Sequence, residues 1–170
     1  MRDDPSESGS MEVMPTRANP DDEAKLAAYA DQLADAIEAV LPAWVERSVA
    51  QFVPIDGDLA PRVQTIGLDV RDEIGGAVRH LLSTDLDDQR TNPLNIVRLG
   101  VERPTTLLRS LGVPPPARDE FDERMFPDDV YGLAPASFVD VDPSLHEPGL
   151  RWGAAKAYVF QQRRRIEGRR

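Results

Sequence analysis

The sequence predicts an all-α protein, a small bundle of about four to six helices with an ordered proline-rich loop ahead of the C-terminal helix. Three observations predict it. Apolar residues recur at spacings of three and four over two long stretches, 20–53 and 59–83, which is the period of one helix face. Helix-start signals precede the apolar runs at Asn19-Pro20 and Asn92-Pro93. The 15 prolines and 11 glycines cluster outside those runs, as in short helices joined by loops. A length of 170 residues, 41% hydrophobic and 29% charged, gives a single domain with a modest core. Its expected span is 19–167. Residues 1–18, rich in Ser, Asp, Glu, Pro and Met, show no periodicity and are expected to form a disordered acidic tail.

The first helix opens at Asn19, a capping residue, with Pro20 at its first position and Asp21, Asp22 and Glu23 where the helix dipole favours anions. Leu26, Ala30, Leu33, Ile37, Val40, Leu41 and Trp44 form its stripe, continued by Val45, Val49 and Phe52. Pro42 inside the run is expected to kink or restart it. After the turn Ile55-Asp56-Gly57-Asp58, a second stripe follows: Val63, Ile66, Val70, Ile74, Val78, Leu81 and Leu82. Gly67, Gly75 and Gly76 weaken this helix by roughly 1 kcal/mol each relative to alanine, which close approach of another helix would offset. A bend at Gly75-Gly76 is the alternative. Residues 85–91 read as a polar loop. A third helix starts at Asn92-Pro93 and a fourth at Pro104, with Gly112 as its stop. Pro114-Pro115-Pro116 is a stiff spacer. A short acidic helix is expected between Arg118 and Met125, then an ordered loop anchored by Phe126, Tyr131, Leu133, Phe138 and Val141. Pro148 suits the start of the last helix, whose broken stripe is Trp152, Ala155, Val159 and Ile166.

Composition removes several function classes. The chain has no cysteine, so disulfides, thiolate metal sites and cysteine nucleophiles are excluded. No apolar run of membrane-spanning length occurs, and Met1 to Pro20 lacks the apolar stretch of a secretory signal. A cytoplasmic protein is expected. Of its 20 basic residues only Lys25 and Lys156 are lysines, a bias typical of a GC-rich bacterial genome. A net charge of −10 opposes general affinity for nucleic acid. The charge is segregated, however. Residues 119–142 carry eight acids and one base, whereas 151–170 carry seven bases and one acid.

Four constellations are candidates for function. The segment Leu99-Gly100-Val101-Glu102-Arg103-Pro104-Thr105-Thr106-Leu107-Leu108-Arg109 resembles the turn and recognition-helix start of GntR-type helix-turn-helix regulators. The likeness covers these residues and is out of phase, because Leu107 and Leu108 come one step after the place where that family has its packing residue. It implies duplex contacts from Arg98, Arg103 and Arg109; the plainer reading is an ordinary pair of core helices. The second is the basic end. There Arg163, Arg164 and Arg165, with Trp152 upstream, are expected to contact a protein partner, since arginine clusters grip carboxylates and phosphates through forked donors. Before any external partner, this end is expected to meet an internal one, the acidic stretch 119–129. Third, Asp85-Leu86-Asp87-Asp88 and Asp140-Val141-Asp142 with His146 hold oxygens and an imidazole of the type that binds a hard cation, but they lack the spacing of a calcium loop. Asp142 before Pro143 reads more simply as a cap. Of the two histidines, His80 is expected to be partly buried, and His146 beside Glu147 sits where a general base operates. The fourth is the loop itself, which either packs its aromatic side chains onto the bundle or presents them to a partner.

No serine elbow, phosphate-cradling glycine loop or dinucleotide fingerprint is present. Residues 60–165, with Phe126-Pro-Asp-Asp-Val-Tyr-Gly-Leu-Ala-Pro and Asp142-Pro-Ser-Leu-His-Glu-Pro-Gly-Leu-Arg-Trp-Gly, look similar to uncharacterised helical proteins of actinobacteria, a resemblance that implies no activity or site. The expected function is a non-enzymatic, cytosolic interaction or regulatory protein with no cofactor. The alternatives are a DNA-binding regulator using 93–112 and a metal-dependent hydrolase using Asp140, Asp142 and His146.

Overall fold

The computed structural model describes residues 19–84 and 92–168, and its described segments are helical with no strand among them. The expected acidic tail 1–18, the polar loop with its Asp85–Asp88 carboxylates, and Arg169 and Arg170 lie outside the described residues. Six helices run longer than one turn: α1 (Pro20–Ala50), α2 (Leu59–Thr84), α3 (Pro93–Leu99), α4 (Glu102–Ser110), α5 (Glu120–Met125) and, at the C-terminal end, α7 (His146–Glu167). Between the last two lies α6 (Phe138–Val141), a single turn followed by a short 3-10 segment at Pro143–Leu145. No helix among the described residues is long and apolar enough to cross a membrane.

α1 starts as the sequence predicts: the Asn19 carboxamide oxygen accepts the Asp21 N–H at 3.1 Å, and Pro20 opens the first turn. Pro42 does not restart the helix, which continues as one element to Ala50. α2 lies antiparallel on α1, with Arg79 beside Asp35 and Glu38 at one end and Gly67 beside Pro42 at the other. The glycines of α2 explain the fit. A Cβ on Gly67 would stand 3.0 Å from the Pro42 Cα and 3.2 Å from its carbonyl oxygen. One on Gly75 would stand 2.5 Å from the Glu38 Cγ. Close approach is therefore the reason for both glycines, and α2 runs through Gly75-Gly76 as one helix.

α7 lies antiparallel on another flank of α1. Val159 packs against Leu26 in a small apolar cluster, Arg163 meets Glu23, and Arg47 meets Asp142 at the opposite end. α1 is thus the central helix, and its buried stripe runs from Leu26 to Val49. The main core joins that stripe to Val63, Val70, Ile74 and Val78 of α2, Val97 of α3, and Leu107 and Leu108 of α4. It also takes in the loop anchors Tyr131, Leu133 and Val141, as expected. Phe52 meets Tyr131 edge-on with ring centroids 5.4 Å apart. The Tyr131 hydroxyl donates to the Val113 carbonyl at 2.7 Å, tying the loop to the end of α4.

α4 begins at Glu102, ahead of Pro104, and Gly112 ends it in the left-handed region at φ 72°, as its place after the apolar run predicts. α7 begins at His146, ahead of Pro148.

Candidate interaction groove

The candidate residues fall into two groups: those whose polar atoms the fold consumes, and those that border one open groove. Arg103 belongs to the first group. Its Nε and Nη2 donate to both Glu73 carboxylate oxygens, and its Nη1 donates to Asp69 at 3.2 Å. The bidentate pair holds the Glu73 carboxyl below its ordinary value. Arg98 donates to the Pro135 carbonyl at 3.1 Å and lies over the Phe126 ring. Gly100 and Val101 make a two-residue turn between α3 and α4, and that turn is buried. A Cβ on Gly100 would sit 3.1 Å from both the Trp44 ring and the Val70 side chain. Pro104, Thr105, Leu107 and Leu108 all face the core. Glu102, Thr106, Arg109 and Ser110 of α4 are exposed, next to an Arg103 already engaged by two acids. Of the three arginines expected to contact a duplex, Arg98 and Arg103 donate within the fold, and Arg109 is exposed.

The carboxylates proposed for metal chemistry are also spent on local structure. The Asp140 Oδ2 accepts the Ala136 and Ser137 N–H groups and the Ser137 hydroxyl, forming the capping box of α6. Asp142 is the cap its sequence context predicts: it accepts the Ser144 N–H and hydroxyl and pairs with Arg47 at 3.4 Å. The Ser144 hydroxyl, more than any other group, keeps the Asp142 carboxyl below its ordinary value. Among the described residues no group of three or more His, Asp and Glu side chains converges on a point that could hold a metal. His146 stands exposed at the first position of α7, and His80 is exposed rather than partly buried, because its position turns off the apolar face of α2.

The basic end finds its internal acid elsewhere than predicted. Arg163 donates to Glu23 at 2.8 Å, in the first turn of α1 and not in 119–129. The antiparallel packing of α7 on α1 dictates this choice, since it sets the end of one helix beside the start of the other. Arg164 lies over the Phe160 ring at 5.6 Å, and Arg165 is exposed.

The open groove runs along α7. His146, Gly149, Leu150, Gly153, Lys156, Ala157 and Phe160 recur at helical spacing along one side. Phe138 and Val139 of α6, with Leu94 of α3, close the other. The groove encloses about 680 Å³ and its walls are mainly apolar. Two glycines shape it. A Cβ on Gly149 would fall 2.5 Å from the Phe138 ring, so α6 seats tightly against α7 there. A Cβ on Gly153 would meet nothing within 4 Å, so the floor at that point is open. Leu150, 58% exposed, and Val139, 45% exposed, stand on the rim.

Polar groups are few and placed at particular points. Lys156 is only 9% exposed and its ammonium lies 5.2 Å from the centre of the Trp152 ring, a cation–π contact. Trp152 is a wall of the groove; its indole N–H is buried and makes no hydrogen bond among the described residues. At the far end the guanidinium of Arg164 covers Phe160. The site therefore combines apolar area with a buried lysine stacked on Trp152 and an arginine stacked on Phe160. Of the residues expected to contact a partner, Trp152 lines it, Arg164 lies over the Phe160 ring of its wall, Arg165 is exposed nearby in sequence, and Arg163 is bound to Glu23. Sequence reasoning missed Lys156 and Gly153. A signal was present for the first, as one of two lysines in an arginine-rich chain.

No family model matches this chain, and no curated protein or solved structure matches it either.

Proposed function

We propose that the chain is a non-catalytic, cytoplasmic interaction protein that receives an acidic, amphipathic segment of a protein partner in the groove along α7. One observation carries this reading: an exposed apolar trough with an open glycine floor, with the exposed Arg164 stacked on Phe160 at one end. Helical segments dock in such grooves by burying apolar residues at i and i+3 or i+4, and cations on the rim select acidic partners and speed their encounter. Contiguous exposed apolar surface on an otherwise charged protein marks an interaction site.

The test uses Gly153→Leu, which fills the floor. The open space above Gly153 and the better helix propensity of leucine leave the fold intact. A fluorescent peptide with leucines four apart and flanking glutamates is titrated against both proteins and followed by anisotropy. Binding to the wild type, loss of at least ~10-fold in affinity with Gly153→Leu, and weakening by salt are expected. Equal binding by a folded Gly153→Leu protein would show that the groove is not the site.

A further inference from the structure

Arginines that leave water in this fold take a carboxylate with them, with two exceptions. Arg71, Arg79, Arg103 and Arg163 are half-buried, and each forms an ion pair. Arg98 and Arg118 are half-buried as well, yet among the described residues their side-chain hydrogen bonds go to three carbonyls and one amide, and to no carboxylate. Both border the same hollow, about 460 Å³ in volume, between α3 and the loop that carries α5.

The two guanidinium groups meet at Phe126. Arg98 lies 5.4 Å from the centre of its ring, and Arg118 Nη1 donates to its carbonyl at 2.8 Å and to the Asp129 carbonyl at 3.0 Å. Arg98 Nε and Nη1 donate to the Pro135 carbonyl and to the Asn95 side chain. Braced in this way, both side chains have little freedom left to lose when a ligand binds. Donors are also left over: Nη2 of Arg98, and Nε and Nη2 of Arg118, have no acceptor among the described residues. A partly desolvated guanidinium with unused donors and no counter-ion is stabilised by an anion, and a carboxylate matches its fork.

The remaining walls narrow the class. Phe126, Tyr131, Pro116 and Pro135 supply apolar surface. Asp119, Asp122 and Asp129 also line the hollow, so a polyanion is repelled. The Asp129 carboxylate is spent on the Leu133 and Ala134 N–H groups, and Asp119 on the Asp122 N–H. The geometry points to a binding site for a small organic monocarboxylate, its charge on Arg98 and Arg118 and its apolar body among the ring and proline walls. The site is distinct from the groove along α7, although Ala136 borders both.

Phenylacetate is the probe, titrated into the isotope-labelled full chain and followed through the arginine Nε–H resonances. Saturable binding at about 1 mM or below is expected, with the Arg98 and Arg118 signals moving and that of Arg103 in place. Phenylacetamide, which has the same shape without the charge, should bind at least ~10-fold more weakly, and phenethylamine more weakly still. Ala117→Trp narrows the hollow from an exposed position and should weaken phenylacetate by at least ~10-fold. Arg118→Lys keeps the charge without the fork and should weaken it by at least ~3-fold. No saturable shift up to about 10 mM, or an amide or amine that binds as well as the acid, overturns the inference. So does unchanged affinity in both folded variants. Gly153→Leu, in the other groove, should leave phenylacetate binding unchanged, so the two readings fail separately. Loss of the probe in Gly153→Leu would place it along α7 and overturn this site.

Discussion

Gly67 and Gly76 lie on the same helix but answer to opposite demands. Alanine at 67 would press its methyl against the Pro42 backbone, which cannot yield as a flexible side chain would. Gly67→Ala should therefore destabilise the protein by roughly 1–3 kcal/mol, as overpacking does. Alanine at 76 meets nothing within 4 Å and should stabilise by about 0.5–1 kcal/mol through helix propensity. Urea unfolding of the two variants measures both. Thr105 offers a third case, since its hydroxyl is buried without a hydrogen-bond partner among the described residues. Thr105→Val should be neutral or stabilising by up to about 1 kcal/mol, because it removes an unsatisfied polar atom at nearly constant shape. Asp142 adds a pH dependence. Its carboxyl is held below the ordinary value of 3.8 by Ser144 and Arg47, so its contribution is complete above that value and is lost as pH falls through the lower folded-state pKa. The melting-temperature gap between wild type and Asp142→Asn should be open at pH 7 and close under strong acid. A gap that widens toward low pH would contradict this assignment.

At the scale of elements, what could be read from the sequence followed from local chemistry. Asn19-Pro20 and Asn92-Pro93 open α1 and α3 as expected because capping and proline geometry depend on neighbouring residues alone. The stripe from Leu26 to Val49 is buried, since a 3.6-residue period needs no knowledge of the partner. Pro42 shows the limit of a local reading: the cost of a proline within a helix is local, whereas the α2 glycine that packs on it lies far along the chain. The same limit hid the groove, whose walls come from α3, α6 and α7. It also hid the choice of Glu23 by Arg163, which follows from how two distant helices pack. The loop between α5 and α7 is tied to α1 by its core anchors and by Arg47, which donates to the Val141 carbonyl and pairs with Asp142. Arg47→Ala should loosen that attachment. Hydrogen exchange should quicken in residues 137–145 and remain slow in the middle of α1 and α2. Uniform acceleration across all helices would mean that Arg47 supports the whole core instead.

Across the whole molecule, segregated charge is the feature that connects fold and function. Acids gather on α5 and the start of α1, and bases gather on α7. Part of the basic helix is neutralised internally at Glu23–Arg163, while Arg164 is exposed over Phe160 beside an apolar groove. The two tryptophans let that groove be watched directly, because Trp44 is buried in the core and Trp152 forms a groove wall. Protein labelled with 5-fluorotryptophan gives one fluorine resonance for each, assigned with Trp152→Phe. Titration with the leucine–glutamate peptide is the most direct measurement of the central claim. The Trp152 resonance should shift in a saturable manner while that of Trp44 stays in place, and Gly153→Leu should abolish the shift. A Trp152 resonance that does not respond, or one that moves equally in the Gly153→Leu protein, would contradict the groove as the binding surface for an acidic amphipathic segment.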